Sequence, residues 1–178
     1  MRKTMAGKSQ AGGERIEHPF DPLFNEYSRV LILGSFPSVR SREQNFYYGH
    51  PRNRFWKVMA TILNCPQPQT VEAKRALILE HHLALWDSVA ECEISGSSDS
   101  SIRGVRPNDL SIILKKCDIR RIYCNGRKSY DIYRRYIEER TGREAVLLPS
   151  TSPANARCGT EELINRWSVI TKDLQSQK

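Results

Sequence analysis

The chain has 178 residues, of which 27% are charged and 39% hydrophobic, and its formal net charge is +8. This length fits one domain with a sizeable core, and the apolar content excludes a chain that is disordered throughout. No apolar run reaches the ~18 residues of a membrane span, so no membrane partner is expected. From the net charge alone, a nucleic-acid partner and simple solubility account equally well for a basic protein of this size.

The first residues, MRKTMAGKSQAGGER, carry charge but no apolar stretch, which excludes a secretory signal. We expect residues 1–20 to form a flexible N-terminal tail and residues 21–178 to form a single domain. A transit peptide is a weaker alternative, because an amphipathic apolar face is missing. The five cysteines include no Cys-x-x-Cys pair, which favours free thiols over a disulfide framework or a zinc site. We therefore expect no metal and no cofactor.

Strand and helix patterns alternate along the rest of the chain. In chain order they are the strand RVLILGS, the helices RFWKVMATILN and TVEAKRALILEHH, the strand LALW, the polar loop ECEISGSSDSSIRGVRP, the helix NDLSIILKKC, the strand IRRIYCNG, the helix RKSYDIYRRYIEERTG, the strand EAVLLPS and the helix EELINRWSVITKDL. This order predicts a three-layer α/β/α sandwich with a central, mostly parallel four-stranded sheet. The loops that follow the strands should then meet in one crevice at the carboxyl edge of the sheet.

The stretch GSFPSVRSREQNFYYGHPRNRFW, residues 34–56, places consecutive aromatic rings among arginines just before a predicted helix. Rings of this kind suit the stacking of a flat base, and arginines suit the phosphates beside it, although at least one ring is expected in the core. Asn53 lies directly before the helix RFWKVMA, so its side chain either caps that helix or takes part in chemistry. His50 is expected to bond the local backbone.

Polar residues also follow the other predicted strands. Asn125 suits a turn better than a base contact, and Asp87 is expected to cap a helix after LALW. Asp99 is expected in a flexible loop. No glycine pattern of a dinucleotide or P-loop site follows the first strand, and neither a metal cluster nor a Ser-His-Asp set can be assembled from the spacing.

Three motifs, GSFPS, FYYGHPRNRFWKV and LPSTSPANAR, resemble the signatures of the uracil-DNA glycosylase superfamily, in the same order, within residues 28–170. The resemblance is strongest to its hypoxanthine-DNA glycosylase branch, also called DNA-deoxyinosine glycosylases. HPRNRFW together with LPSTSPANA is specific, whereas GSFPS alone would be weak. The resemblance implies a DNA partner that carries deaminated bases.

The resemblance also implies roles for the matched residues. The first motif would form the floor of a pocket for a flipped base, Tyr48 would stack on that base, and LPSTSPANAR would enter the minor groove. The matched residues are Gly34, Ser35, Phe36, Pro37, Phe46 and Tyr48 for the base pocket, Asn53 for catalysis, and Ser150, Ser152, Pro153, Ala154, Asn155 and Arg157 for DNA binding.

The motifs depart from the mismatch-specific pattern at two positions. Phe36 stands where that pattern has an asparagine, so the water-positioning amide would be Asn53, as in the hypoxanthine branch. Ala154 stands at the intercalating position, where a small side chain favours weakly paired or single-stranded targets.

The sequence therefore predicts a monofunctional, monomeric DNA glycosylase that hydrolyses the bond between hypoxanthine and its sugar in base excision repair. No lysine lies in the first or the last motif, which disfavours a Schiff-base lyase. A uracil or G/T(U)-mismatch glycosylase is the alternative within this class, and a noncatalytic module that binds DNA or nucleotides is the alternative outside it. Such a protein would work in the cytoplasm at the nucleoid of a prokaryote, or in the nucleus of a eukaryote.

Overall fold

The computed structural model describes residues 13–175. Its larger sheet consists of β2 (Val30–Gly34), β3 (Leu83–Asp87), β6 (Arg121–Asn125) and β7 (Ala145–Leu148). All neighbouring pairs are parallel, and the spatial order is β3–β2–β6–β7. Every residue of β2 and β3 is buried, as expected for strands that are covered on both faces.

The register of these strands brings their carboxyl ends to one edge. Gly34 at the end of β2 pairs with Asp87 at the end of β3, and Asn125 at the end of β6 pairs with Leu148 at the end of β7. The loops after these four residues are therefore neighbours, as the sequence predicts.

Helices flank the sheet and confirm the predicted three-layer architecture. They are α1 (Val39–Gln44), α2 (Phe55–Ile62), α3 (Val71–Glu80), α4 (Ser111–Leu114), α5 (Arg127–Tyr136), α6 (Glu138–Thr141), α7 (Thr160–Trp167) and α8 (Val169–Gln175). The α1 helix was not predicted. The predicted helix over 127–142 is divided into α5 and α6 at Ile137, and the last predicted helix is divided at Ser168.

A second sheet corrects two predictions. The segment expected to be a polar loop forms β4 (Val89–Ile94) and β5 (Arg103–Pro107), and β1 (Glu14–Glu17) pairs with β4 in an antiparallel sheet of order β1–β4–β5. Residues 14–17 are thus not part of a flexible tail, and residues 1–12 of that prediction lie outside the described range. The sheet forms because alternate apolar residues pack into a small cluster with Phe36.

Ion pairs on the outer side of this sheet fix the N-terminal strand. The Glu91 carboxylate accepts hydrogen bonds from Arg15 and from Arg106 Nε, the latter at 2.8 Å. These arginines hold the pKa of Glu91 below its usual range. Within residues 13–175 no helix is long and apolar enough to cross a bilayer.

Candidate active site

A cavity of about 740 Å³ opens at the carboxyl edge of the parallel sheet. Most residues that the sequence assigns to the site line it: Gly34, Ser35, Phe36, Pro37, Tyr48, Asn53, Ser150, Ser152, Ala154 and Asn155. Phe46, Pro153 and Arg157 do not line it. Asp87 and Asn125, at the ends of β3 and β6, do line it, and so does Asp99.

Gly34 forms part of the floor, because a side chain has no room there. A Cβ atom at this position would stand 2.3 Å from Asp87 Oδ1 and 3.3 Å from the Tyr48 hydroxyl. The backbone of β2 can therefore approach the carboxylate of β3 only with glycine at this point. Phe36 follows in the same loop, is 7% exposed, and packs edge-on against His18 at a ring-centroid distance of 6.0 Å.

The aromatic stretch divides between the core and the cavity. The Phe46 ring stacks on Trp56 and is 4% exposed, which corrects its expected place as a pocket wall. Tyr47 lines the cavity instead. The Tyr48 ring stacks on Phe55 at 3.9 Å between centroids, and its backbone has φ of 51°, a left-handed conformation that side chains rarely adopt. Of the three consecutive rings, Phe46 thus lies in the core, whereas Tyr47 and Tyr48 line the cavity.

The Tyr48 hydroxyl is buried and makes no hydrogen bond within the described residues. Burial raises the pKa of Tyr48 far above its usual value, and the nearby Asp87 charge raises it further. The Asn125 side chain opposes this rise, although its contact with the hydroxyl lies outside hydrogen-bonding geometry. Tyr48 therefore carries a neutral hydroxyl that is buried beneath the cavity surface and has no hydrogen-bond partner among the described residues.

Asn53 is held by two hydrogen bonds to one side-chain atom. Its Oδ1 accepts from the Phe55 backbone N–H at 3.0 Å and from the Thr151 hydroxyl at 2.9 Å. The first bond fixes the start of α2, although the capping position itself is occupied by Arg54. Because the Phe55 backbone N–H can only donate, the atom that it meets is the amide oxygen, and Nδ2 remains without a partner among the described residues.

Thr151 connects Asn53 to the end of β6. Its hydroxyl accepts a hydrogen bond from Asn125 Nδ2 at 2.9 Å, and its backbone N–H donates to Asn125 Oδ1 at 3.0 Å. Thr151 is fully buried. Asn125 thus serves neither as a plain turn residue nor as an evident base contact, but as the anchor of a network that ends at Asn53. The sequence did not single out Thr151, since a threonine within a loop has no distinctive pattern.

Asp87 does not cap a helix, because β4 follows it. Its Oδ2 lies 2.6 Å from His18 Nε2, and the side chains are only 7% and 4% exposed. His18 Nδ1 lies 2.8 Å from the Phe20 carbonyl oxygen. The sequence missed His18 because its contacts bridge 69 positions along the chain.

Asp99 lies in a short 3₁₀ turn, Asp99–Ser101, at the rim of the cavity. The residue is exposed, but its carboxyl group turns inward and accepts a hydrogen bond from the Ser35 hydroxyl at 2.8 Å. Desolvation raises the pKa of Asp99, and the Ser35 hydrogen bond opposes that rise.

Arg54 organises the last loop. Its guanidinium donates to the carbonyl oxygens of Cys158, Ser152 and Asn155, and its backbone N–H donates to the Thr151 carbonyl. Arg54 is therefore occupied inside the protein and does not contribute to a DNA surface.

Other basic side chains line the cavity or are exposed in the motifs. Arg127, Lys128 and Arg166 line the cavity, and Arg52 and Arg157 are exposed. Lys128 is a lysine at the site that lies outside both motifs, a position that motif inspection overlooks. Within residues 13–175 no group of three or more His, Cys, Asp or Glu side chains is arranged to hold a metal ion.

The site thus combines a rigid carboxamide, a carboxylate–imidazole pair and an unpartnered hydroxyl around a cavity that can hold a nucleobase. It contains no Ser-His-Asp arrangement among the described residues, because the one close His–Asp pair faces no serine. This donor set suits the binding and polarisation of a polar heterocycle.

Comparisons with known proteins agree with this geometry. The family model described as the uracil DNA glycosylase superfamily matches residues 22–173. A protein of Methanosarcina acetivorans named hypoxanthine DNA glycosylase is 33% identical over 159 residues, which are 87% of this chain and 98% of the relative. A Methanosarcina barkeri protein of the same name is 30% identical over 141 residues, 78% of this chain and 87% of the relative.

A solved structure has a similar fold. The solution NMR structure of a candidate uracil DNA glycosylase from Methanosarcina acetivorans superposes with a TM-score of 0.76 at 30% identity, and the match covers 89% of this chain and 98% of that one. Because the family model spans most of the chain and relatives of at least 30% identity match along nearly their whole length, this chain belongs to the uracil DNA glycosylase superfamily.

Proposed function

We propose that this protein is a monofunctional DNA glycosylase that removes hypoxanthine from DNA in base excision repair. The observation that carries the proposal is the Asn53 carboxamide, which two hydrogen bonds fix at the wall of a cavity at the sheet edge. The names of the two Methanosarcina relatives support hypoxanthine as the base.

The chemistry follows from the bond that is broken. A base inside a duplex is out of reach, so it is flipped into the pocket at a cost of about a few kcal/mol. Cleavage then builds positive charge on the sugar and negative charge on the departing base. Hypoxanthine leaves more readily than adenine, because its lactam ring accommodates negative charge.

The free Nδ2 group of Asn53 can donate a hydrogen bond to a water molecule or to the base. Its Oδ1 already accepts two hydrogen bonds, so it has little capacity to accept a proton from water. Asn53 therefore orients and polarises rather than acting as a general base. Most of the rate enhancement must come from the fixed dipoles around the departing base.

The loop that Arg54 holds is the proposed contact with DNA. It presents Ser150, Ser152, Ala154 and Asn155 at the cavity, while Pro153 and the exposed Arg157 lie outside it. Its shape is fixed before DNA binds, which lowers the entropy cost of association. Ala154 is too small to wedge a stable base pair apart, so inosine in weak pairs or in single strands is the preferred target.

We infer further that the protein acts as a monomer, at the nucleoid in a prokaryotic cytoplasm or in the nucleus of a eukaryote. The supporting consideration is a set of basic side chains that suits direct approach to a phosphate backbone: Arg127 and Arg166 line the cavity, and Arg52 and Arg157 are exposed in the motifs.

A single-turnover assay tests the proposal. Matched oligonucleotides carry inosine, uracil or a G·T mismatch, and abasic sites are measured for the wild type and for Asn53→Ala. We expect the wild type to cleave at inosine and the variant to be slower by at least about 100-fold. In other enzymes, removing one asparagine side chain that stabilises transition-state charge has an effect of this size. Cleavage of uracil or G·T alone would favour the alternative specificity. Binding without any abasic site would favour a noncatalytic module.

Borohydride trapping distinguishes a hydrolase from a lyase that uses Lys128. A hydrolase forms no covalent complex with the sugar, whereas a Schiff base with the Lys128 amine would be reduced to a stable adduct. We expect no adduct in the wild type.

A further inference from the structure

The connection between β4 and β5, residues 95–102, forms part of the cavity wall. Its turn is closed by its own serines, because the Ser101 hydroxyl donates to the Ser98 carbonyl oxygen at 2.7 Å and accepts from the Ser95 N–H at 2.9 Å. The residues of this connection that line the cavity are Ser97, Ser98, Asp99 and Ser100. The second sheet therefore carries a hydrogen-bonded turn, with one carboxyl group in it, to the cavity.

Hydrogen bonds tie this turn to the segment that follows β2. Ser97 Oγ accepts from the Val39 N–H at 2.9 Å. The Ser35 hydroxyl donates to Asp99 Oδ1 at 2.8 Å. Because Ser35 directly follows the end of β2, the Asp99 carboxyl group is fixed beside the carboxyl edge of the parallel sheet.

Asp99 has a carboxyl oxygen that no other group of the protein uses. Its Oδ1 accepts from Ser35, whereas Oδ2 has no hydrogen-bond partner within residues 13–175. The residue is exposed and lines the cavity. The titratable groups around it are Asp87 on β3, Cys92 on β4 and Lys128 on α5. Asp99 Oδ2 is therefore available to a molecule in the cavity.

The other polar groups of the cavity are poor proton acceptors. Among the described residues that line it, only Asp87 and Asp99 are acidic, and none is a histidine. The Asp87 side chain is 7% exposed, and its Oδ2 contacts His18. Asn53 Oδ1 already accepts two hydrogen bonds, and an amide is a much weaker base than a carboxylate. Asp99 is therefore the best-placed base of this site.

We propose that Asp99 is the general base of the glycosylase reaction and that its Oδ2 takes a proton from the water that attacks the sugar. This inference rests on the proposed glycosylase function. The bond between C1′ and N9 of hypoxanthine breaks, and its electron pair leaves with the base. The water oxygen forms a bond to C1′, and one water proton passes to Asp99 Oδ2. The hypoxanthine anion then takes up a proton from solvent and Asp99 returns one, so the net reaction is hydrolysis.

The surroundings of Asp99 suit this role. Desolvation is the main effect that raises the pKa of Asp99, and the Asp87 charge adds to it, whereas the Ser35 hydrogen bond and the Lys128 charge oppose the rise. A raised pKa makes the carboxylate a stronger proton acceptor. Its negative charge also offsets the positive charge that builds on the sugar before the proton moves. Asn53 and Asp99 thus divide the work into orientation and proton transfer.

Asp99→Asn tests the proposal, because asparagine keeps an oxygen for the Ser35 hydroxyl but cannot take the proton. We expect the single-turnover rate at deoxyinosine to fall at least about 100-fold. The affinity for DNA should not fall, because a negative charge is removed from a surface that meets phosphates. Asp118→Asn is the matched control, since it removes an exposed carboxylate that does not line the cavity, and it should cleave at the wild-type rate.

The outcomes separate this inference from the proposed function. If Asp99→Asn cleaves deoxyinosine at nearly the wild-type rate, the inference is wrong and the glycosylase function remains. If the folded wild type cleaves no deoxyinosine, both are wrong. A fall in DNA affinity that accounts for the whole loss of activity would show that Asp99 only shapes the cavity wall, and would overturn its role as a base.

The pH dependence of the wild type is a second test that needs no substitution at Asp99. Because the base must be ionised, the single-turnover rate should fall as the pH drops through the pKa of Asp99, which lies above the usual aspartate value of about 3.9. Ser35→Ala should move this fall to higher pH, since it removes the hydrogen bond that lowers the pKa. Circular dichroism checks that the protein is folded at each pH. An equal wild-type rate at acidic and neutral pH would overturn the inference.

Discussion

Thr151→Val provides a direct probe of how Asn53 is held. The two side chains have nearly the same shape, but valine lacks the hydroxyl that links Asn53 to Asn125. Thr151 is fully buried, and its hydroxyl makes two hydrogen bonds of 2.9 Å. The backbone hydrogen bond from Thr151 to Asn125 Oδ1 does not depend on the side chain and should remain.

The expected loss can be estimated from these bonds. Deleting the hydroxyl leaves Asn125 Nδ2 without its acceptor and Asn53 Oδ1 with one donor instead of two, so the free energy of unfolding should fall by about 1–3 kcal/mol. Asn53 keeps its bond to the Phe55 N–H but can rotate about it. A misplacement of this kind should slow the chemical step about ten- to 100-fold.

Urea unfolding and single-turnover cleavage of an inosine duplex measure the two effects. Thr151→Ser is the matched control, because it keeps the hydroxyl and removes only a methyl group. We expect the serine variant to retain most of the cleavage rate at near wild-type DNA affinity. If valine cleaves as fast as serine while the stability falls as expected, the network stabilises the fold but does not position Asn53 for catalysis.

Three further substitutions test separate parts of the structure. Gly34→Ala would place a Cβ atom 2.3 Å from Asp87 Oδ1, so we expect it to lose about 1–3 kcal/mol of stability and most of the activity. The control is Gly159→Ala, whose Cβ atom would meet no atom within 4 Å and which should leave the melting temperature unchanged. Arg54→Lys should lower the unfolding free energy by about 2–3 kcal/mol and weaken DNA binding, because lysine cannot reach three carbonyl oxygens at once. Unchanged DNA affinity would contradict the role of Arg54 in shaping the loop that contacts DNA. Glu91 has a lowered pKa in the folded state, so its contribution to the stability of the fold is present above the usual carboxyl range and is lost as the pH falls. Glu91→Gln should therefore melt at a lower temperature than the wild type at pH 7 but at the same temperature at acidic pH. A difference in melting temperature that persists in acid would refute the ion-pair explanation.

The parallel sheet was predictable because its strands are short apolar runs bounded by turn residues. Runs such as RVLILGS leave few alternatives once helices separate them. The second sheet was not predictable, since the serines and charged residues around Asp99 have the composition of a loop. Its apolar alternation is confined to single residues such as Ile94 and Ile102, and the stabilising contacts come from β1, far away in sequence.

The candidate site shows the same division. Asn53 and the loop at Ser150 were identified through motifs, but the contacts that orient them are nonlocal. His18 and Thr151 act through partners 69 and 98 positions away, so no local pattern could indicate them. Phe46 was expected in the pocket but lies in the core, and Tyr47, for which the sequence predicted no place, lines the cavity; which ring of a consecutive run faces the cavity depends on nonlocal packing such as the stacking of Phe46 on Trp56.

The most direct test of the central claim is the identity of the released product. A duplex with one deoxyinosine is incubated with excess enzyme, and the free base is quantified by mass spectrometry alongside the abasic sites. The proposed hydrolase should release one hypoxanthine for each abasic site, and Asn53→Ala should release far less in the same time. Strand cleavage without free hypoxanthine, or no release by the folded wild type, would contradict the assignment of this cavity as a hypoxanthine-DNA glycosylase site.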